Sequence, residues 1–297
     1  MPIPPHGNLR AIVAMVAACA MFACMDAVLK ALSGSYPPLQ VTALRGLTAM
    51  PLVCLYVLWR GQLRFVFSRH LRWGLHLLRG VITVLMLSLF TFGLKSLGLA
   101  EAYTLSFVAP LIITMLSAPL LKEVVPPRHW VAIAVGLGGV IVALRPDQGA
   151  FLSLGALVVL AAASCYAVSN VVGRMVSRSE PGATLVFWTT GAMALGGSVL
   201  AAPQWVAVAP AHAPLLVALA ISGFLGQLAI TEAFRHGQAS AVAPFEYTAL
   251  AWAVALDWLI WRAVPDAYTL AGGAIIIVSG LYLVRREVPT RMAVVPP

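Results

Sequence analysis

The sequence predicts an all-α polytopic membrane protein of ten transmembrane helices, built as two inverted five-helix repeats around a central cavity. Composition is the first observation behind this prediction, because 61% of the 297 residues are hydrophobic and only 10% are charged. Soluble domains carry roughly a quarter charged residues. Ten apolar runs and an internal repeat are the other two observations. The connecting segments are short, so no sizeable soluble domain is expected.

Ten segments are long and apolar enough to cross a bilayer. A transmembrane helix needs about 20 mostly apolar residues to span about 30 Å of hydrocarbon, and lipid excludes open strands because their backbone groups would stay unsatisfied. The first run is too long for the core of a signal peptide, which predicts a retained helix. Spans 1 to 10 are predicted at residues 9–32, 38–59, 72–94, 98–121, 128–145, 152–176, 182–202, 213–235, 239–262 and 267–285.

The distribution of lysine and arginine predicts the orientation. With the N-terminus in the cytoplasm, thirteen of the 19 basic residues fall on inner loops and tails and four on the outer side, while Arg45 and Arg79 lie within spans. Cytoplasmic loops are enriched in basic residues. We therefore expect a multi-pass protein of the bacterial inner membrane with both termini in the cytoplasm. The same bias explains the net charge of +9, so no nucleic-acid partner is expected.

The two halves of the chain, residues 1–147 and 148–297, resemble each other. A shift of 144 positions aligns Phe22 with Tyr166, Asp26 with Asn170, Lys30 with Arg174 and Pro37 with Pro181. Because each half contains an odd number of spans, the second half enters the membrane from the opposite side. Inverted repeats of this kind recur in carriers, where one half rocks against the other around a fixed site.

Charged residues within the spans form two predicted layers. A charge at the bilayer centre costs about 2.5–3.5 kcal/mol on insertion scales, so each one needs a reason. In the outer layer, Asp26 and Arg45 lie at one depth on adjacent spans, and Lys30 lies one turn from Asp26 on the same face. Asp257 of span 9 belongs to the same layer. The inner layer contains Arg79, Glu232 and Glu246 on spans 3, 8 and 9.

Two interpretations of these charged residues stay open. They form ion pairs that gate each side in turn, or they are static pairs that hold helices together. Glu246, Glu232 and Asp257 are candidates for binding a coupling proton. Asp26 is less suited to that task, because Arg45 and Lys30 would keep it ionised.

Aromatic and amide side chains near the midplane are the candidate substrate contacts. Tyrosine and tryptophan offer an apolar face with one polar end, which suits amphipathic metabolites. An alternative is that they belong to the aromatic belt at the membrane interface. The candidates are Tyr103, Tyr166, Asn170, Trp188, Gln227 and Tyr247. Pro110 and Pro244 interrupt spans 4 and 9, where they either open carbonyls toward a cavity or only bend the helix.

The sequence lacks the motifs of several enzyme classes. It contains no HExxH, P-loop, GxSxG or GxGxxG pattern, so no cofactor, no catalytic residue and no direct use of ATP are expected. The histidines are scattered and the four cysteines lie within apolar runs without a CxxC spacing, so no metal site is expected.

Taken together, these features resemble the drug/metabolite transporter superfamily, in its two-repeat EamA branch. The segments that carry the resemblance are Phe22 to Lys30, Arg45, the span around Pro110 with Lys122-Glu123, Gly139-Val140, Tyr166 to Asn170, Ala239 to Pro244 and Gly273 to Gly280. The resemblance implies spans 1–4 and 6–9 around the cavity and transport by alternating access. The second half departs from the pattern at Trp261-Arg262 and at Thr189.

A secondary carrier that exports amino acids, aromatic ones among them, is the function we expect. Carriers of S-adenosylmethionine, nucleosides or drug-like cations are the alternative within the same superfamily. A membrane enzyme acting on lipid would need clustered acidic residues or histidines at one interface, and a channel would need polar stripes along several helices. The expected partners are a small-molecule substrate and the lipid bilayer, with a monomer slightly favoured.

Overall fold

The computed structural model describes residues 5–68, 71–109, 153–177, 179–236 and 248–287, together with Glu246 and scattered residues between 112 and 142. Every element named in these ranges is helical. The helices are α1 (Pro5–Ser33), α2 (Pro38–Trp59), α3 (Leu63–Val66), α4 (Trp73–Gly93), α5 (Leu99–Ser106), α6 (Leu154–Ser177), α7 (Gly182–Ala201), α8 (Ala213–His236), α9 (Thr248–Leu256, continued by a π-helix at Asp257–Trp261) and α10 (Ala267–Glu287).

Six helical segments of the described chain are long and apolar enough to cross a membrane. They lie at Ile12–Ser33, Pro38–Trp59, Trp73–Gly93, Leu154–Gly173, Gly182–Gln204 and Pro210–Ile230. Their outward faces expose large apolar side chains, for example Leu55 at 64%, Val81 at 60% and Val199 at 72%. Such surfaces need lipid rather than water around them. Span 5 and parts of spans 4 and 9 lie outside the fully described ranges, so the count of ten stays a prediction.

Local sequence signals set where several helices begin. Proline has a fixed φ and no N–H, so it fits the first turn, and Pro38 starts α2. Pro181 stands in extended conformation immediately before α7. Side-chain caps mark two others: the N–H of Ala156 donates to Ser153 Oγ at 3.2 Å at the start of α6, and the N–H of Thr269 donates to Asp266 Oδ1 at 2.7 Å in α10.

The helices of the two halves interleave. In the described part, α1 packs mainly on α8, α6 packs mainly on α4, and α2 packs on α7. In the two repeats, α1 corresponds to α6, α2 to α7 and α4 to α8. Exchanging the halves therefore converts the α1–α8 contact into the α6–α4 contact and leaves the α2–α7 contact unchanged. This is the pattern that two repeats related by a twofold operation produce. The interior of the molecule is therefore built from both halves.

Small residues allow the central helices to approach closely. A methyl group at Gly46 of α2 would overlap the backbone nitrogen of Ala194 in α7, and one at Gly197 of α7 would lie 2.9 Å from the nitrogen of Ala43 in α2. The two helices thus interlock through the pairs Ala43–Gly46 and Ala194–Gly197, which have the same three-residue spacing. Small residues of this kind bring helix backbones together in membranes.

Candidate functional site

A polar cluster lies between α1, α2 and α5 in the interior. Asp26 of α1 is 8% exposed, and its Oδ2 accepts a hydrogen bond of 2.6 Å from the hydroxyl of Tyr103 in α5. Arg45 of α2 lies close enough to Asp26 for their opposite charges to attract. The structure therefore brings Arg45 near Asp26, with Tyr103 as a third member of the group.

The second half of the chain extends this cluster. Tyr166 of α6 lies within electrostatic reach of Tyr103 and of Glu246. The Nδ2 of Asn170 donates to the carbonyl of Tyr166 at 2.9 Å, so this amide is held against its own helix. Glu246 lies next to Cys19 of α1, whose Sγ is 3.7 Å from the Glu246 carbonyl oxygen.

The side chains of this central cluster line an interior surface formed by both halves. Cys19 and Asp26 are seven residues apart, which is about 10 Å along the α1 axis. Several members are half-buried although they lie between helices, as expected for side chains that border an internal space. We define the central cluster as Cys19, Asp26, Arg45, Tyr103, Tyr166 and Glu246.

Lys30 does not pair with Asp26, contrary to the expectation from their spacing. Its Nζ instead lies 2.9 Å from Oδ1 of Asp257, and it stands 4.3 Å from the ring centroid of Trp261. The other oxygen of Asp257 accepts a 2.9 Å hydrogen bond from the N–H of Ala100 at the start of α5. Asp257 is 2% exposed. The π-helix at Asp257–Trp261 brings both the carboxylate and the indole to Lys30.

These contacts join three helices at the predicted outer side of the molecule. Next to them, Glu101 Oε2 accepts a hydrogen bond of 3.2 Å from the N–H of Gly98, which caps the first turn of α5. We call Lys30, Asp257 and the Ala100 N–H the outer latch. It links α1 of the first half to α9 of the second.

The expected inner ion pairs of Arg79 are not formed with the groups that the structure describes around it. Its Nη1 donates to the carbonyl of Leu185 at 3.4 Å, and its buried Nε has no hydrogen-bond partner. The guanidinium lies against Gly173 of α6, where a side chain would be 3.4 Å from Nε. The missing side chain at Gly173 leaves the room that the guanidinium occupies.

Trp188 lies in the first half of α7 and packs against the segment that contains α3, so its contacts there are with protein groups. Its indole Nε1 donates to the carbonyl of Val66 at 2.9 Å, and its ring packs edge-on against Trp73 with centroids 4.8 Å apart. Phe67 and Phe187 complete this aromatic group. The indole N–H reaches the carbonyl of the last residue of α3 because α3 packs against α7.

Two further contacts, which the sequence did not predict, cross between the halves. On the predicted inner side, His76 Nε2 lies 2.6 Å from Glu180 Oε2, and the N–H of Arg72 donates to Glu180 Oε1 at 2.8 Å. On the predicted outer side, the Tyr36 hydroxyl lies 2.7 Å from His212 Nδ1. Tyr36 precedes Pro37 and Glu180 precedes Pro181, so the two contacts occupy equivalent places in the two repeats. The aligned prolines were the one signal that pointed to these positions.

The remaining predicted residues fall into two groups. Gln227 and Glu232 are half-buried on α8, each with an interaction partner. The side chain of Tyr247 and the two prolines, Pro110 and Pro244, lie outside the described residues. Within the described part of the chain, no group of three histidine, cysteine, aspartate or glutamate side chains is arranged to bind a metal.

Comparisons with known proteins agree with this architecture. The model of the EamA-like transporter family matches the chain twice, at residues 9–145 and 153–286. One solved crystal structure shares the fold, with a TM-score of 0.67 over 94% of this chain and 98% of the other at 22% identity.

Several characterised transporters are related in sequence. The pseudopaline exporter CntI of Pseudomonas aeruginosa (strain UCBPP-PA14) is 30% identical over 90% of this chain and 93% of its own length. The S-adenosylmethionine uptake transporter of Rickettsia conorii is 29% identical over 71% of this chain and 72% of its own. The riboflavin transporter of Vibrio cholerae is 28% identical, with 73% of each chain covered. This chain is therefore a membrane-embedded, multi-pass member of the EamA-like transporter family, within the drug/metabolite transporter superfamily.

Proposed function

We propose that the protein is a secondary carrier that exports small amphipathic metabolites, amino acids first among them, by alternating access. The observation that carries the proposal is the central cluster, in which a carboxylate, a guanidinium and two phenols from both halves meet in an apolar interior. A buried group of opposite charges beside aromatic rings suits a molecule with a charged end and an apolar side chain.

Two contacts between the halves support the alternating-access part of the proposal. The outer latch ties α1 to α9, and the His76–Glu180 contact ties the start of α4 to the turn before α7. Both connect one half of the chain with the other. Opening one side of a carrier requires breaking the contacts that join the halves on that side. The carrier is proposed to act in the bacterial inner membrane, with both termini in the cytoplasm.

The relatives support a metabolite as substrate without specifying which one. Their names describe a pseudopaline exporter, an S-adenosylmethionine uptake transporter and a riboflavin transporter. A carrier for S-adenosylmethionine is therefore the second candidate, favoured by the relative from Rickettsia. Both candidate substrate classes share an amino-acid end.

Uptake by inside-out membrane vesicles tests the proposed export. Vesicles from cells that produce the protein are compared with vesicles from cells carrying an empty vector, using labelled phenylalanine, threonine and methionine in turn. We expect saturable uptake of at least one amino acid that depends on the protein. Uptake equal to the empty-vector level for all three, with saturable uptake of S-adenosylmethionine, would replace the first candidate by the second.

A further inference from the structure

In the central cluster, Asp26 interacts with both a phenol and a guanidinium, unlike a simple ion pair. The described hydrogen bond to Asp26 comes from the Tyr103 hydroxyl, and Arg45 acts on the same carboxylate through its charge. The Lys30–Asp257 and His76–Glu180 contacts, in contrast, are direct at 2.9 and 2.6 Å. Direct pairs therefore already join the halves on both sides. The interior pair is held by a phenol, a group that a ligand can replace.

The side chain of Arg45 remains partly accessible although it lies between helices. It faces α8 at Gly223, where an added methyl would lie 3.9 Å from Arg45 Nε and 3.3 Å from Met25 Sδ, so α8 packs closely on one side of Arg45. Arg45 itself is half-buried, so part of its surface is not covered by the surrounding helices. A carboxylate matches the planar fork of arginine donors and accepts two parallel hydrogen bonds from it.

Aromatic side chains stand beside these charges. The rings of Phe90 and Tyr103 are perpendicular, with centroids 6.5 Å apart. Phe22 lies one turn of α1 from Asp26 and packs against Gly226 of α8, where an added methyl would meet its ring at 2.9 Å. An apolar group placed near Asp26 and Arg45 would therefore find ring surfaces on α1, α4 and α5.

We infer that the central cluster recognises the zwitterionic end of an amino acid, with Arg45 binding the carboxylate and Asp26 binding the ammonium. This inference rests on the proposed function and specifies what its site selects. Tyr103 holds the Asp26 carboxylate in place until the ammonium arrives. Glu246 lies toward the inner end of the cluster and is a second carboxylate along the path of the ammonium. The apolar side chain contacts the aromatic rings.

Ligand analogues test the inference on the unaltered protein. Binding of tritiated phenylalanine, threonine and methionine to the purified full chain in detergent is measured, with unlabelled competitors. For phenylalanine the competitors are phenethylamine, which lacks the carboxylate, and 3-phenylpropionate, which lacks the ammonium. We expect each analogue to compete at least about ten-fold more weakly than the amino acid, since each loses one set of charge-assisted hydrogen bonds. Equal competition by either analogue, or binding of none of the three amino acids, would overturn the inference.

Substitutions assign the two charges to the two ligand ends. Arg45→Gln is expected to weaken amino-acid binding at least about ten-fold, while phenethylamine binding changes little. Asp26→Asn is expected to weaken the binding of both the amino acid and phenethylamine at least about ten-fold. Arg60→Gln, at an exposed arginine outside the cluster, is the matched control and is expected to bind like the wild type. Monodisperse elution from a sizing column shows that each variant is folded. An Arg45→Gln protein that is folded and binds the amino acid normally would contradict the assignment.

Binding and transport separate the inference from the function on which it rests. Zwitterion-selective binding without transport in vesicles would support the recognition site and contradict the carrier proposal. Transport that does not distinguish phenylalanine from phenethylamine would leave the carrier in place and overturn the recognition site.

Discussion

Lys30 neutralises a carboxylate that is almost fully removed from solvent. The side chains of Lys30 and Asp257 are 15% and 3% exposed, and the second oxygen of Asp257 is already occupied by a backbone N–H. Removing one partner of a buried pair leaves an uncompensated charge and costs about 3–5 kcal/mol, whereas removing both costs much less. The contact thus stabilises the packing of α1 against α9 only while both charges are present.

We predict that Lys30→Met lowers the thermal unfolding temperature strongly and that adding Asp257→Asn restores much of the loss. The amide of the double variant carries no charge and still offers an oxygen to the N–H of Ala100. A double-mutant cycle tests this. It compares thermal unfolding of the purified wild type, Lys30→Met, Asp257→Asn and the double variant in detergent. Additive losses from the two substitutions would show that the pair has no mutual stabilisation.

Trp188 is predicted to stabilise the inner side without contacting substrate. Trp188→Phe keeps an aromatic ring beside Trp73 but loses the hydrogen bond to the carbonyl of Val66. We expect a modest destabilisation of about 1 kcal/mol and an unchanged half-saturation concentration for transport. Concentration dependence of uptake in reconstituted vesicles measures the latter. A large rise in that concentration at normal stability would return Trp188 to the substrate site.

The spacing of Asp26 and Lys30 shows how far residue patterns lead. Residues four apart on a helix share a face, so the sequence favours a local pair. Asp257 is 227 positions from Lys30, and only the packing of α9 against α1 makes it the partner. In contrast, the neighbourhood of Asp26 and Arg45 follows from a short turn between adjacent helices, and the sequence predicts it. A partner that is distant in the sequence, such as Asp257 for Lys30, cannot be identified from the residues near Lys30.

At the scale of elements, the contact between α2 and α7 depends on two glycines. Gly46 and Gly197 each face the backbone of the opposite helix. Their absence of side chains sets the distance between the two helices, and α2 carries Arg45. The α2–α7 crossing therefore positions one member of the central cluster. The hydropathy of the sequence predicts both helices. It does not predict that these two glycines lie at the contact between them, because that depends on how the helices pack.

Gly46→Ala is predicted to disrupt this crossing. The added methyl overlaps backbone atoms of Ala194, and a helix backbone cannot move aside as the end of a flexible side chain can. Overpacking of this kind costs about 1–3 kcal/mol or more. We expect reduced yield of folded protein and a lower unfolding temperature. Gly74→Ala is the control, because nothing lies within 4 Å of the added methyl. Equal stability of the two variants would show that α2 and α7 separate without cost.

The molecule as a whole has contacts that repeat under exchange of its halves. The pairing of α1 with α8 mirrors that of α6 with α4, and the Tyr36–His212 contact mirrors the Glu180–His76 contact. Apolar length predicts the six spans that the described residues contain, because lipid imposes both length and hydrophobicity on a helix. The aligned prolines predict the repeat, which the two matches of the family model confirm. The cross-contacts could not be predicted, since they join residues 176 and 104 positions apart.

The predicted orientation is tested by labelling the two ends of α2. Ser35 and Arg64 are exposed and lie before and after this helix. We expect Ser35→Cys to react with a membrane-impermeant maleimide in intact spheroplasts, and Arg64→Cys to react only after permeabilisation. The wild-type protein, with its four native cysteines, is the background control. Loss of one basic residue among thirteen on the inner side leaves the orientation bias in place. The opposite labelling pattern would invert the proposed topology.

Counterflow in proteoliposomes tests the central claim most directly. Vesicles containing the purified protein are loaded with unlabelled phenylalanine, threonine or methionine and diluted into the same amino acid in labelled form. A carrier that alternates between two sides exchanges substrate across the membrane, so the account predicts saturable labelled uptake that is faster in loaded than in empty vesicles for at least one amino acid. Equal uptake in loaded and empty vesicles for all three, with folded protein present, would contradict it.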